Sequence, residues 1–377
     1  MAPDSNSGPA LIGIEPTIYP ENELTQRPLA RAKFLKNTWY VAMPSEELKE
    51  GEIVHRTLLN EPVALYRKED GSVAAIRDMC PHRQVPLSMG TLQSGDRVQC
   101  IYHGLQFGAD GKCVRNPHGS QKISDALHLP AYRVVEKHRL LWIWMGDKPA
   151  DLDTIPDYSV IDEAPKLHIT DFGYLSAKCH YGLMIDNLLD LSHICFTHAG
   201  ILGNPDTAET DPDVTVEDDT VTVSRYSEDA ETPGMIKMFT DDPELQARGE
   251  QWTSITWFPA SNLLLNFGAC KVGEPRESGT GYMALHWLTP ETDRTTHYYY
   301  CAARWNVQTD DERNKEIREL IYKMRTFAFA DQDMPVIAAQ QVAQDSLDHE
   351  PNPAKLSIDA GPNEYEKILN KLIAEEN

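Results

Sequence analysis

The sequence predicts an α+β protein with a small all-β domain first and a larger domain, an antiparallel sheet flanked by helices, after it. Three observations carry that expectation. Short β-rich runs separated by turn residues fill residues 37–148. A Pro- and Asp-rich stretch from Pro149 to Pro165 reads as a crossover. Beyond it, strand-like segments form one block with helical segments at both ends, over residues 149–377.

Taken in order, residues 1–36 are polar and Pro-rich and lack an apolar h-region, so they read as a loose arm and not as a signal peptide. Trp39-Tyr-Val-Ala, Pro62-Val-Ala-Leu-Tyr, Val73-Ala-Ala-Ile and Leu140-Leu-Trp-Ile-Trp are the strands of the first domain. Gly51, Asp70-Gly71, Asp110-Gly111 and Gly146-Asp147 turn the chain between such runs. In the second domain Met184 to His193 reads as a helix. Residues 214–225, 251–258, 263–269, 281–288 and 294–305 read as antiparallel strands. From Asp310 to Met334 the pattern is that of a long helix, with acids at its start and Ile317, Leu320, Ile321 and Met324 on one face. Tyr365 to Ile373 is a short closing helix.

A formal charge of −23 over 377 residues argues against nucleic acid and anionic membranes as partners. No run of eighteen apolar residues exists, so no membrane span is expected. Seven cysteines, an odd number scattered along the chain, do not make a disulfide framework and fit a reducing cytoplasm.

Two short stretches carry the chemistry. Cys80-Pro-His82 is followed by seventeen residues and then Cys100-Ile-Tyr-His103. Two limbs, each with one thiolate and one imidazole, form the ligand set of a Rieske [2Fe–2S] centre, where two His replace two Cys on one iron. The rival for two Cys and two His is structural zinc. Zinc fingers pair like with like, whereas each limb here mixes the two. Farther on, Asp190-Leu-Ser-His193 precedes His198 by four intervening residues. Two imidazoles near a carboxylate suit a mononuclear non-haem Fe(II) site with open positions for oxygen. Asn187, Asp190 and His193 are three apart and share a face of the expected helix. The third ligand must come from elsewhere, and helical arithmetic along the late helix points to Asp331. The bland alternative for His193 and His198 is a pair of core histidines, which the cluster limbs upstream disfavour. His180, His297 and His118 read as structural or outer residues, and Cys113 and Cys195 as packing thiols.

The text around these motifs resembles a known family. Cys80-Pro-His-Arg-Gln-Val-Pro-Leu-Ser-Met-Gly, Cys100-Ile-Tyr-His-Gly-Leu-Gln-Phe and Gly111-Lys-Cys-Val are similar to the Rieske domain of oxygenase subunits of the vanillate O-demethylase and dicamba O-demethylase type. Asn116-Pro-His-Gly, Leu140–Gly146 and Leu288-Thr-Pro-Glu-Thr continue the likeness over nearly the whole chain after the arm. The resemblance implies that His193 and His198 bind iron. Its pattern of an Asp followed seven residues later by Gln selects Asp333, with Gln340 as the match, over Asp331. The family more often has Glu where this chain has Gln332. The resemblance also implies a bridging role for Asp190, with Asp186 as its rival. Asp190 would link His193 to the His103 of a neighbouring subunit, which requires a head-to-tail homotrimer. Asn187 and His286 are candidates for substrate contact.

The expected function is that of a terminal oxygenase. A separate NAD(P)H-dependent reductase, using flavin, ferredoxin or both, supplies electrons, since no Gly-x-Gly-x-x-Gly motif opens a helix here. O2-dependent O-demethylation of a methoxylated aromatic compound releases formaldehyde. Aryl-methyl hydroxylation, N-demethylation and ring dihydroxylation use the same kind of iron site. A Rieske electron carrier without catalysis is a different class, and the Asp190/His193/His198 group argues against it.

Overall fold

The structure is a computed structural model, and it describes residues 33–199, 201–202, 211–349 and 351–376. The expected arm falls largely outside them. Two sheets lie in the first part of the chain. A six-stranded antiparallel sheet runs in the order Trp39–Pro44, Leu140–Trp144, Ala131–Lys137, Val73–Arg77, Glu61–Arg67, Ile53–Leu58. A smaller four-stranded sheet, residues 91 to 115, stands beside it. The second part is a seven-stranded antiparallel sheet in the order Gly173–Ala177, Thr296–Trp305, Thr280–Pro290, Asn262–Cys270, Arg248–Phe258, Thr220–Glu231, Asp213–Glu217. The five strand segments read from the sequence all belong to this sheet, which has seven strands.

One core joins the two parts. Trp39, Trp142, Ile143 and Tyr158 pack with Trp287, Leu288, Tyr298 and Tyr299 in a single buried cluster. Polar groups cross with it: Tyr299 donates to the carbonyl of Ala42 at 3.0 Å and Thr289 to that of Val41 at 2.7 Å. The strand Thr280–Pro290 is buried on both faces along nearly all of its length. One face therefore meets the first part of the chain, and the other is free to line a cavity under the helices.

The helices differ from expectation in two informative places. The helix expected from Met184 to His193 spans Tyr181–Leu189 and stops short of His193. Asp190 ends it: its carboxylate accepts the Ser192 N–H at 2.7 Å, a turn that competes with helix continuation. A separate four-residue helix, Ile194–Thr197, then carries the chain from His193 to His198. The long helix is capped by Asp310, which accepts the Arg313 N–H at 2.9 Å, and runs over Asp311–Phe327. It then widens into a π-helical stretch, Ala328–Asp333, before resuming as Met334–Asp345. Pro335 cannot donate to the carbonyl four residues back, so the regular ladder breaks there. The closing helix is longer than expected, Ala360–Ala374.

Candidate metal centres and active site

The two Cys/His limbs fold as copies of one turn. Cys80 N–H donates to the Val85 carbonyl and Gln84 N–H to the Cys80 carbonyl; Cys100 N–H donates to Leu105 and Gly104 N–H to Cys100. The fourth residue after each cysteine is left-handed, with φ of 59° at Gln84 and 68° at Gly104. This turn tucks both cysteines inside, buried and within reach of each other. Burial, with the adjoining Cys100 thiol, pushes the Cys80 thiol up to about 11. The imidazoles lie outward, His82 and His103 with ring centroids 4.5 Å apart. Among the described residues no three of these four donors converge within 4.8 Å as ligands to one ion would. The set fits a two-iron cluster, with sulfur inside and nitrogen outside, better than a lone zinc. Beneath the first limb, buried Asp78 accepts from Ser88 and His55 at 2.6–2.7 Å. His118 bonds the His103 carbonyl through Nε2 at 2.7 Å.

The second site is assembled by the irregular segments. Among the described residues one group of three ligand-bearing side chains converges within 4.8 Å: His193, His198 and Asp333. Asp333 Oδ1 lies 3.1 Å from His198 Nε2 and 3.7 Å from His193 Nε2. That oxygen is buried and has no hydrogen bond, so the three atoms converge on a common point instead of bonding one another. The outer nitrogens are held elsewhere. His193 Nδ1 bonds the main-chain carbonyl of Asp190, and His198 Nδ1 bonds Gln332 Oε1 at 2.8 Å. Burial pushes the His193 pKa down, against the pull of Asp333 and Asp190. At His198 burial also lowers it, but the Asp333 carboxylate outweighs that effect and the net shift is upward. A buried set of two imidazoles and one carboxylate suits a facial-triad iron site.

Asp333, and not Asp331, is the acid in this group. Asp331 is exposed and Asp333 is 2% exposed. The buried positions of the long helix are 314, 317, 321 and 325, continued by 328 and 333. The final step of five is the π-turn, which rotates residue 333 inward and 331 outward. Leu320, read as part of the apolar stripe, is exposed, and so is Gln340; its neighbour Gln341 is buried and accepts the His180 N–H at 2.8 Å. The expected shared face of Asn187, Asp190 and His193 is also lost, because the helix ends at Leu189. Asp190 holds His193 through its carbonyl, whereas its carboxylate was the expected acceptor.

A mostly apolar cavity adjoins the triad. Leu188, Leu191, Ile194, Met235, Tyr282 and Phe329 line it together with Asn187, His193, His198, His286, Arg325 and Asp333. His286 is buried, with Nδ1 paired to the Tyr298 hydroxyl at 2.6 Å. The other histidines have structural partners: His180 Nδ1 accepts the Gly182 N–H at a helix start, and His297 sits between Tyr174 and the Thr57 carbonyl. Sequence reasoning did not find Arg325 or the role of Gln332. An arginine at a core position of an amphipathic helix was the available signal for the first.

Both the fold and the two metal-binding constellations define a Rieske non-haem iron oxygenase. Residues 38–133 match the Rieske [2Fe-2S] domain, and residues 177–375 match the vanillate O-demethylase oxygenase C-terminal domain. The chain is 34% identical to the iron-sulfur subunit of the toluene-4-sulfonate monooxygenase system of Comamonas testosteroni, over 91% of this chain and 98% of that one. It is 34% identical to the oxygenase component of dicamba O-demethylase of Stenotrophomonas maltophilia, over 81% and 93% respectively. The crystal structure of dicamba monooxygenase bound to 3,6-dichlorosalicylic acid superposes with a TM-score of 0.78 at 31% identity, covering 91% of this chain and 98% of that one. The chain belongs to the vanillate O-demethylase family of Rieske oxygenase subunits. Its cofactors are a Rieske [2Fe–2S] cluster and a mononuclear iron. No described helix is long and apolar enough to cross a membrane.

Proposed function

We propose that the chain is the terminal oxygenase of a Rieske monooxygenase system that O-demethylates a methoxylated aromatic compound and releases formaldehyde. One observation carries the reading: the buried triad His193, His198 and Asp333 shares an apolar, aromatic-walled cavity, in a chain that also carries the paired Cys/His limbs. In this reading Cys80 and Cys100 hold one cluster iron and His82 and His103 the other, while the triad holds the mononuclear iron. The metals, when bound, supply stored electrons and O2 activation. The chain's residues orient the ligands and exclude water, with Asn187 and His286 contacting the substrate. One oxygen atom enters a methoxy C–H bond. The other leaves as water with two electrons and two protons. The hemiacetal that results breaks into a phenol and formaldehyde.

Electrons come from a separate NAD(P)H-dependent reductase, in keeping with relatives described as an oxygenase component and a system subunit. A homotrimer follows if Asp190 joins the centres of adjacent subunits. One Asp190 carboxylate oxygen serves Ser192 and leaves the other for a neighbour's His103. Ile101 and Tyr102 beside the outward imidazole, and Phe196 beside the triad, are large exposed apolar groups that suit head-to-tail closure. Seven free cysteines suit the cytoplasm. Aryl-methyl hydroxylation is the second reading, favoured by the toluene-4-sulfonate relative. Incubation with a generic reductase, NADH and paired methoxy- and methyl-arenes separates the two. Formaldehyde with the phenol supports demethylation, benzylic alcohol supports hydroxylation, and neither product would overturn both.

A further inference from the structure

The two cluster limbs share one turn, yet what lies beneath them differs. Asp78 stands two residues before Cys80, and Ser88 eight residues after it. The equivalent positions around Cys100 are Val98, which is fully buried, and Gly108. One limb therefore has a carboxylate where the other has an apolar side chain. The Asp78 side chain is fully buried. Its Oδ1 accepts the Ser88 N–H at 2.7 Å, and its Oδ2 accepts from the Ser88 hydroxyl and from His55 Nδ1, each at 2.6 Å. These bonds tie the two stems of the first limb together.

Tying the stems does not require a charge. A neutral amide oxygen accepts the same N–H and hydroxyl protons. The second limb closes the same turn with Val98 in the equivalent place. Burying an ionised carboxylate is costly unless it is paired and hydrogen-bonded. The one ionisable group bonded to Asp78 among the described residues is His55, whose side chain is half exposed. The neighbouring Arg77 is committed to Glu61 at 3.0 Å. Iron–sulfur potentials respond to the charge around the cluster. Reduction adds an electron, so a negative charge held beside one ligand opposes it.

We propose that the Asp78 carboxylate sets the reduction potential of the Rieske cluster, holding it lower than a neutral residue at that position would, so that the reduced cluster is a stronger electron donor to the mononuclear iron. Asp78 is a positioning residue: it acts through the Cys80 limb and through its field. Two residues of chain put its Cα at most about 7 Å from that of Cys80. A unit charge roughly 10 Å away, at an effective dielectric constant of about 20, shifts a one-electron equilibrium by about tenfold. Tenfold corresponds to about 59 mV for one electron. The effect is independent of the substrate that the oxygenase takes.

The test is a redox titration of the cluster-loaded protein at one fixed pH, followed by visible and EPR spectra, without substrate or turnover. Asp78→Asn keeps the shape and removes the charge, so it should shift the equilibrium toward the reduced cluster by about tenfold, or about 59 mV upward. Ser88→Ala removes one hydrogen bond and keeps the charge, so it should not raise the potential. His55→Lys, at a half-exposed position, sets a permanent cation against the carboxylate and should raise the potential by about threefold or more in the same equilibrium. A shift under about threefold in Asp78→Asn overturns the proposal. So does a rise in Ser88→Ala as large as that in Asp78→Asn, because loop geometry would then be the cause. If Asp78→Asn does not assemble the cluster, His55→Lys decides alone, and a potential at or below that of the wild type overturns the proposal.

Discussion

Gln332 is expected to set the affinity of the mononuclear iron without touching it. Its Oε1 accepts from His198 Nδ1 at 2.8 Å, and His198 is 2% exposed, so the bond lies largely out of solvent. Gln332→Ala leaves that nitrogen buried and unpaired, a penalty of about 1–3 kcal/mol. It also frees the ring to turn its Nε2 away from Asp333. Loss of such outer partners weakens metal binding by about 10- to 100-fold, or roughly 1.4–2.7 kcal/mol. Gln332→Glu keeps an acceptor and adds charge, so it should hold iron at least as tightly as wild type. The assay removes mononuclear iron with a mild chelator and titrates Fe(II) back under anaerobic conditions, with Rieske absorbance as the internal standard. Asp331→Ala, one residue away and exposed, is the control. An alanine variant that binds Fe(II) within twofold of wild type, with unchanged thermal stability, would refute the argument.

Other expectations follow from the same geometry. Asp333→Ala should retain the Rieske colour and lose one iron of about three per chain, while Asp331→Ala loses none, as read by elemental analysis; the opposite result would move the ligand to residue 331. Asp190→Asn should keep both metals, because an amide oxygen still serves Ser192, yet slow cluster reoxidation with substrate and O2 by at least about 10- to 100-fold in single-turnover mixing. A wild-type rate would shift the bridge to Asp186. His103→Cys should lower the cluster potential strongly, since imidazole ligation raises it, and redox titration reads the shift. Leu285→Ala, fully buried in the catalytic sheet, should cost about 2–5 kcal/mol in denaturant unfolding. A loss under 1 kcal/mol would mean the sheet repacks around the gap.

The chemistry was legible because ligands are few in kind and the spacing of each motif is local. Cys80-x-His82 and Cys100-x-x-His103 lie within single turns, so the sequence already brings each Cys to its His. The strands of the second sheet were legible for a similar reason: runs such as Thr280–Pro290 carry their β-rich character in consecutive residues. The third ligand was not so placed. Regular helical spacing pointed to Asp331 and only the family pattern selected Asp333; the π-turn over Ala328–Asp333 is what brings residue 333 inward. That widening depends on Pro335 and on packing against the sheet, which periodicity does not encode.

Sequence alone therefore determined the class of protein: the two Cys/His limbs for a two-iron cluster, the His193/His198 pair for a single iron, and the order of an all-β part before an α+β part. Tertiary structure decided what surrounds those atoms. It ended the Tyr181–Leu189 helix ahead of Asp190 so that the Asp190 carbonyl, not its carboxylate, holds His193. It joined Gln332 to His198, and it set Arg325 and His286 in the lining of one cavity. Such pairings join residues up to 134 positions apart. Their partners are chosen by packing in three dimensions, and no local pattern of residue types records that choice.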